Sequence, residues 1–364
     1  MSVTNGTLTL NGTWSSSGTL SATGIIRTTA DLAGNSQIGG GFNFAGNMTL
    51  LNQGLISSQT SGRTVTINPA TSFTNAGTIE AINGAVLSIT NGYTQSAGVT
   101  RVNNGTINST TISLTAGTLE GSGTINATVN SSGIINLNAD GTIAGPLNAT
   151  GGSWIGQGIV TGLTTVSVGT FTIGNGAHLH ANGNLNVTGV GTIAAASATA
   201  KITGTVSYLS SSNSAFIAIL AGAGKTVTMN NAVATFTLAG ANTYTGATTV
   251  TAGILKAGIV SVSGVSGAFG RNSPVTMANV ASALLDITGF DTQIGSLSGG
   301  GTSGGNVTLG AATLTFAGTN TSPAVYSGNI SGSGGTNKSG PGTQTFNGTR
   351  RERFRSDCPP NRHG

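Results

Sequence analysis

Charge is what this 364-residue chain most lacks: 6% of its residues are Asp, Glu, Lys or Arg, against roughly 25% in an ordinary globular domain. That scarcity does not make it disordered, because disorder combines low hydrophobicity with high net charge, and here 37% of residues are apolar. The formal net charge of +5 is misleading. Five of the 13 cationic residues (Arg350, Arg351, Arg353, Arg355 and Arg362) and two of the eight acidic ones (Glu352 and Asp357) lie in the last 15 positions. The remaining chain holds 8 cations against 6 anions, a net of +2. A nucleic-acid reader needs clustered Lys and Arg to neutralise phosphates, so no nucleic-acid partner is expected. Cysteine is confined to Cys358, which excludes a disulfide framework. Aromatics are 5% of the chain, and no run of about 18 apolar residues is available for a transmembrane helix. Met1 is followed by S-V-T-N-G-T-L-T-L, which has neither the cationic start nor the apolar stretch of a signal peptide.

What is present is glycine, 60 residues of it, with Thr, Ser, Asn, Val and Ile between. This composition suits pleated strands joined by sharp corners. Four phrases align: N-A-G-T-I-E (75–80), S-A-G-V-T-R (96–101), T-A-G-T-L-E (115–120) and S-S-G-I-I-N (131–136). Their glycines, Gly77, Gly98, Gly117 and Gly133, are 21, 19 and 16 residues apart. A second phrase follows three of them: N-N-G-T-I-N (103–108), G-S-G-T-I-N (121–126) and D-G-T-I-A (140–144). Two strands per turn and about 20 residues per turn are the mark of a β-solenoid. Equivalent strands of successive coils then run parallel, with aliphatic ladders inside and Thr, Ser and Asn outside. Stacking residues 1–349 at roughly 20 per coil and about 4.8 Å per coil gives a rod on the order of 80 Å. The same register puts Glu80, Arg101 and Glu120 three residues after their glycines. They are expected to stack as an acid–base–acid ladder that pins register, each exposed pair contributing about 0–1 kcal/mol.

Between Leu238 and Gly258 the sequence reads L-A-G-A-N-T-Y-T-G-A-T-T-V-T-A-G-I-L-K-A-G. Two short strands with tight corners fit it, and neither buries a core alone, so the unit must stack on its neighbours. Through Leu238, Gly240, Asn242, Thr243, Tyr244, Gly246, Thr248, Val250, Gly253 and Leu255 it resembles the passenger-associated repeat of bacterial autotransporters. Residues 265–301, with L-D-I-T-G-F and I-G-S-L-S-G-G, look like the same family, and Thr343–Gly348 mirrors Thr235–Gly240 at a shift of 108 residues. Three segments result: a solenoid of short Gly-rich repeats over 1–224, the longer repeat continuing it over 225–349, and a non-repeat basic tail over 350–364. The tail, with Pro359-Pro360 and no periodicity, reads as an out-of-frame or artefactual end.

Candidate chemistry is thin. Gly222-Ala223-Gly224-Lys225-Thr226 ends like a phosphate-binding loop, but Ile219 stands where its first Gly is required, and the strand-like residues that follow offer no helix N-terminus. His178 and His180 share one face of a strand. They could supply two metal ligands, yet zinc needs a third protein ligand and the nearest carboxylates in sequence are Asp140 and Asp286. An exposed histidine pair and no metal are therefore expected. Glycosidic chemistry needs two carboxylates flanking the bond. The candidates are Asp31, Glu80, Glu120, Asp140, Asp286 and Asp291, and the closest pair, Asp286 and Asp291, fits a corner role better. The N-x-S/T triplets, as at Asn5, Asn108 and Asn148, follow from composition and supply turns.

The resemblance implies a right-handed parallel β-helix of the pectin-lyase-like kind. It also implies an exported passenger, secreted or displayed on a Gram-negative bacterium, with which the scarcity of cysteine agrees. Its partner would be the outer-membrane translocation machinery or a β-barrel domain outside this sequence. The expected function is structural: a rod that assists its own export and displays or spaces other domains, without catalysis or cofactor. The rival reading is a secreted adhesin or carbohydrate-binding β-helix that meets host-surface or matrix glycans through Trp14, Trp154 or Tyr244. A polysaccharide lyase or hydrolase is a more distant one. A signal and barrel are expected in the neighbouring DNA, which would make the chain a fragment or its start misplaced.

Overall fold

A computed structural model describes residues 50–351, except 60, 63, 70–71 and 319–323, with side chains throughout save those of 68, 69, 324 and 351. Among the first 49 residues it describes only the backbones of strands Ser2–Leu10, Thr19–Thr28, Leu32–Gly34 and Asn43–Gly46 and the start of Met48–Asn52. The described residues contain strands and turns and no helix; none could therefore cross a membrane as an apolar helix. The chain forms two compact units, Met1–Gly204 and Thr205–Gly364. Each is a stack of parallel strands, the all-β parallel solenoid expected from the sequence.

In the first unit, nine parallel strands from Leu32–Gly34 to Thr192–Ala195 form one sheet among the described residues. The rule that builds it is local. Counting from the corner glycine, the residue two positions on points inward and those one and three positions on point outward, because strand side chains alternate. Ile79, Thr100, Leu119, Ile135 and Trp154 thus face each other in adjacent coils, all fully buried, and Ile173, of the same parity but four positions after Gly169, continues the ladder. A second inward ladder runs through Val65, Leu87, Ile107, Ile125, Ile143 and Val160. The corners need glycine for a steric reason. Gly98 has φ +67, and a Cβ there would run into the Gly77 carbonyl of the preceding coil.

The interior is not wholly aliphatic, which corrects the expectation that Asn lies outside. Asn52, Asn75 and Gln95 are fully buried and in register. Asn52 Nδ2 donates to Asn75 Oδ1 at 2.8 Å and to the Thr78 carbonyl at 2.9 Å. Asn75 Nδ2 reaches the Val99 carbonyl at 3.3 Å and Gln95 Oε1 at 3.5 Å. Gln95 Nε2 donates to the carbonyls of Gly98 and Thr118 at 3.0 and 2.9 Å. Corner carbonyls turned inward would cost about 1–3 kcal/mol each if left unpaired. An amide meets that need because it donates to its own corner and to the next coil at once.

In the second unit, strands Val227–Leu238, Thr248–Ala257, Pro274–Met277 and Ser296–Gly299 stack in parallel. The partners Val227, Thr248, Val275 and Leu297 are 21, 27 and 22 residues apart. The longer step accommodates the loop after Ala257. A separate three-stranded parallel sheet joins Thr292–Ile294, Thr313–Phe316 and Gly335–Lys338. Strand Arg350–Arg351 pairs with Ile330 and Ser331, so regular structure enters the first two positions of the segment read as a tail. Residues 352–364 lie outside the described residues.

Candidate functional site

The segment 238–258 is built around one buried side chain. Asn242 is fully buried; its Oδ1 accepts from the Leu220 amide and its Nδ2 donates to the Ala268 carbonyl, both at 2.7 Å. These partners are 22 residues before it and 26 after it. Its backbone exchanges two hydrogen bonds of 3.1 Å with Gly267, and the next amide, of Thr243, donates to the Leu220 carbonyl at 2.9 Å. A single asparagine thereby ties its own coil to the coil before and the coil after. Only an amide of this length brings a donor and an acceptor to both peptides.

Tyr244 fills the adjacent corner, 1% exposed. Its hydroxyl lies 2.7 Å from Thr248 Oγ1, which lies 2.9 Å from Ser273 Oγ, which donates to the Gly246 carbonyl at 2.6 Å. Each hydroxyl carries one proton, so the last bond sets the direction of the others: Tyr244 donates to Thr248 and Thr248 to Ser273. Burial pushes the Tyr244 phenol above its ordinary range, partly offset by Thr248. The remaining motif residues shape the coil. Leu238, Val250 and Leu255 are fully buried and face Phe216, Met229 and Phe236 of the preceding coil. Gly240 and Gly246 pass close to that coil's carbonyls, and Gly253 turns with φ +89 against the Asn231 carbonyl.

Glu80, Arg101 and Glu120 occupy paired positions of three successive strands. Arg101 Nη1 is 3.4 Å from Glu80 Oε2, and Arg101 Nε is 2.9 Å from Glu120 Oε1. The Glu120 hydrogen bond, outweighing burial, raises the Arg101 pKa with help from both negative charges. Ser57, one coil earlier, donates to Glu80 Oε1 at 2.7 Å.

The other candidates separate. Among the described residues no three His, Cys, Asp or Glu side chains converge on a metal position. His178 and His180 are half-buried rather than exposed, with ring centroids 3.7 Å apart, and His178 Nε2 lies 2.8 Å from Thr203 Oγ1. Around Gly222–Thr226, strand Ile219–Ala221 leads into strand Val227–Leu238, so no helix N-terminus faces the turn. Asp286 pairs with Lys256 at 3.2 Å and accepts from the Thr288 amide at 2.9 Å. Burial opposes its ionisation, but the Thr288 hydrogen bonds and Lys256 hold its carboxyl below the usual range. Asp291 Oδ1 accepts from the Thr313 amide at 2.7 Å. Both carboxylates are thus engaged in corners.

The aromatic platforms require a correction. Trp154 is fully buried and Tyr244 nearly so, and the Trp154 indole donates to the carbonyls of Gly156 and His178 at 3.1 and 3.2 Å. Neither presents a ring face on which a sugar could stack. Trp14 and Asp31 lie outside the described residues, and only the backbone is described at Asn5.

Coils that template one another through buried amides and hydroxyls, with no group of three or more His, Cys, Asp or Glu side chains gathered among the described residues, define a structural solenoid. Residues 234–257 match the family model of the passenger-associated-transport-repeat, the same coil that Asn242 and Tyr244 organise. Over 114 residues, 31% of this chain, the sequence is 48% identical to the adhesin BmaC autotransporter of Brucella suis biovar 1 (strain 1330). The chain spans 3% of that relative's length. Together these findings support an autotransporter passenger domain. No solved structure gives a significant match.

Proposed function

We propose that this chain is a stretch of autotransporter passenger, secreted or displayed on a Gram-negative cell, whose repeat coil promotes stacking as the polypeptide leaves the outer membrane. Residues 1–224 act as spacer coils, 225–349 carry the export-assisting repeat, and 350–364 stand apart as a non-repeat basic tail. The translocation partner is a β-barrel domain or the outer-membrane machinery, and the work is mechanical rather than catalytic. The observation that carries this reading is that the family match falls on the coil where Asn242 binds the Leu220 and Ala268 peptides of its two neighbours. Stacking outside the membrane opposes return because each added coil covers the open strand edge of the previous one. In bacteria producing the passenger, deletion of 238–258 or Asn242→Ala is expected to lower the fraction accessible to external protease. Undiminished display of both variants would defeat the proposal. An adhesin-like role for the displayed coils is the second reading, favoured by the relative's name. With Trp154 and Tyr244 buried, glycan stacking on those rings is not part of it.

A further inference from the structure

We propose that His178 and His180 form a copper(II) site on the first unit. The two residues alternate with fully buried Leu179 on strand His178–Val187, so both imidazoles leave the same outer face. Residues two apart on a strand are separated by about 6.6 Å, yet these rings converge to 3.7 Å between centroids. Two nitrogen donors of the kind copper favours are thereby gathered before any metal arrives. Thr203 Oγ1, 2.8 Å from His178 Nε2, fixes one ring; in the tautomer whose Nε2–H donates to it, Nδ1 keeps its lone pair for a metal.

The metal follows from the donor count. Zinc sites take at least three protein ligands, and no third His, Cys or carboxylate joins the pair among the described residues. Copper(II) heads the affinity order for divalent first-row ions and accepts nitrogen and water oxygen in tetragonal geometry, so two imidazoles with water suffice. Lys201 on the neighbouring strand opposes any cation, so its removal should strengthen binding.

The test uses the full chain carrying Cys358→Ser and His363→Ala, which remove the thiol and the third imidazole. Titration with copper(II) at pH 7 is expected to give one bound ion per chain with two nitrogen donors in its electron paramagnetic resonance spectrum. His178→Ala or His180→Ala should abolish that signal with the β-sheet circular dichroism unchanged. Lys201→Met should tighten binding, and equimolar zinc should not displace the copper. Failure to bind copper, or the same spectrum in the double histidine variant, would overturn the assignment. So would equal competition by zinc.

Discussion

The two units hold their coils in register in different ways. Between Asn52 and Glu120 the first unit spreads the task along ladders: Asn52, Asn75 and Gln95 inside, Glu80, Arg101 and Glu120 outside. Each rung shares its partners with neighbouring backbone. The Gly77 carbonyl, for example, accepts from the Val99 amide as well as from Asn75. The second unit concentrates the task in one buried asparagine that serves both flanking coils. A ladder tolerates the loss of a rung, whereas a hub does not. The match to the repeat family falls on the coil that holds the hub.

The sharpest way to break the comparison is Asn242→Ala against Asn75→Ala. The first strips the side-chain partner from two buried peptide groups at about 1–3 kcal/mol each, roughly 2–6 kcal/mol in sum. The second leaves the Gly77 carbonyl with the Val99 amide and Gln95 Oε1 with the Thr100 hydroxyl, and should cost about 1–2 kcal/mol. Denaturant unfolding of both variants decides, and equal losses would end the distinction between ladder and hub.

The next effect is silent at neutral pH. Burial, then the neighbouring His180 and Lys201, holds the His178 pKa at about 4, below its ordinary 6.5. The unfolded chain takes up that proton near pH 6.5 and the folded chain resists it. The coil is therefore at full stability above about pH 6.5 and loses it as pH falls toward 4. Protection factors in 178–204, exchange rates corrected for their intrinsic pH dependence, should fall over that window more than those in 86–137, and His178→Gln should weaken the difference.

The smallest effect expected is at Arg101. Arg101→Gln removes two contacts from a side chain 38% exposed, worth less than about 1 kcal/mol each. Its cost should shrink further as salt rises, and a large salt-independent loss would move the ladder's role from surface to core.

Much of the solenoid was legible because glycine marks the corners and alternation does the rest. The spacing of Gly77, Gly98, Gly117 and Gly133 reflects strand pairs that lie side by side. Trp154 shows where that rule was not carried far enough. It stands two residues after Gly152, the same inward parity as Ile79 and Leu119, so its burial could have been read. The amide ladder left a weaker trace, an Asn two residues before Gly54 and Gly77, hidden because Asn is equally common in exposed turns. The bonds of Asn242 left none, since its partners are the peptide groups of Leu220 and Ala268 and carry no side-chain signature.

A residue satisfied half by earlier sequence and half by later sequence also sets a step size for growth. When only two of its three coils are in place, Asn242 has one amide end bonded and the other exposed or stranded, whichever end of the chain arrives first. Residues 219–273 therefore gain stability as a triplet rather than one coil at a time. In the language of one-dimensional cooperative chains, the repeat lengthens the correlation between neighbours locally. Native-state hydrogen exchange should see this stretch open as one block, while the coils of the first unit fray singly.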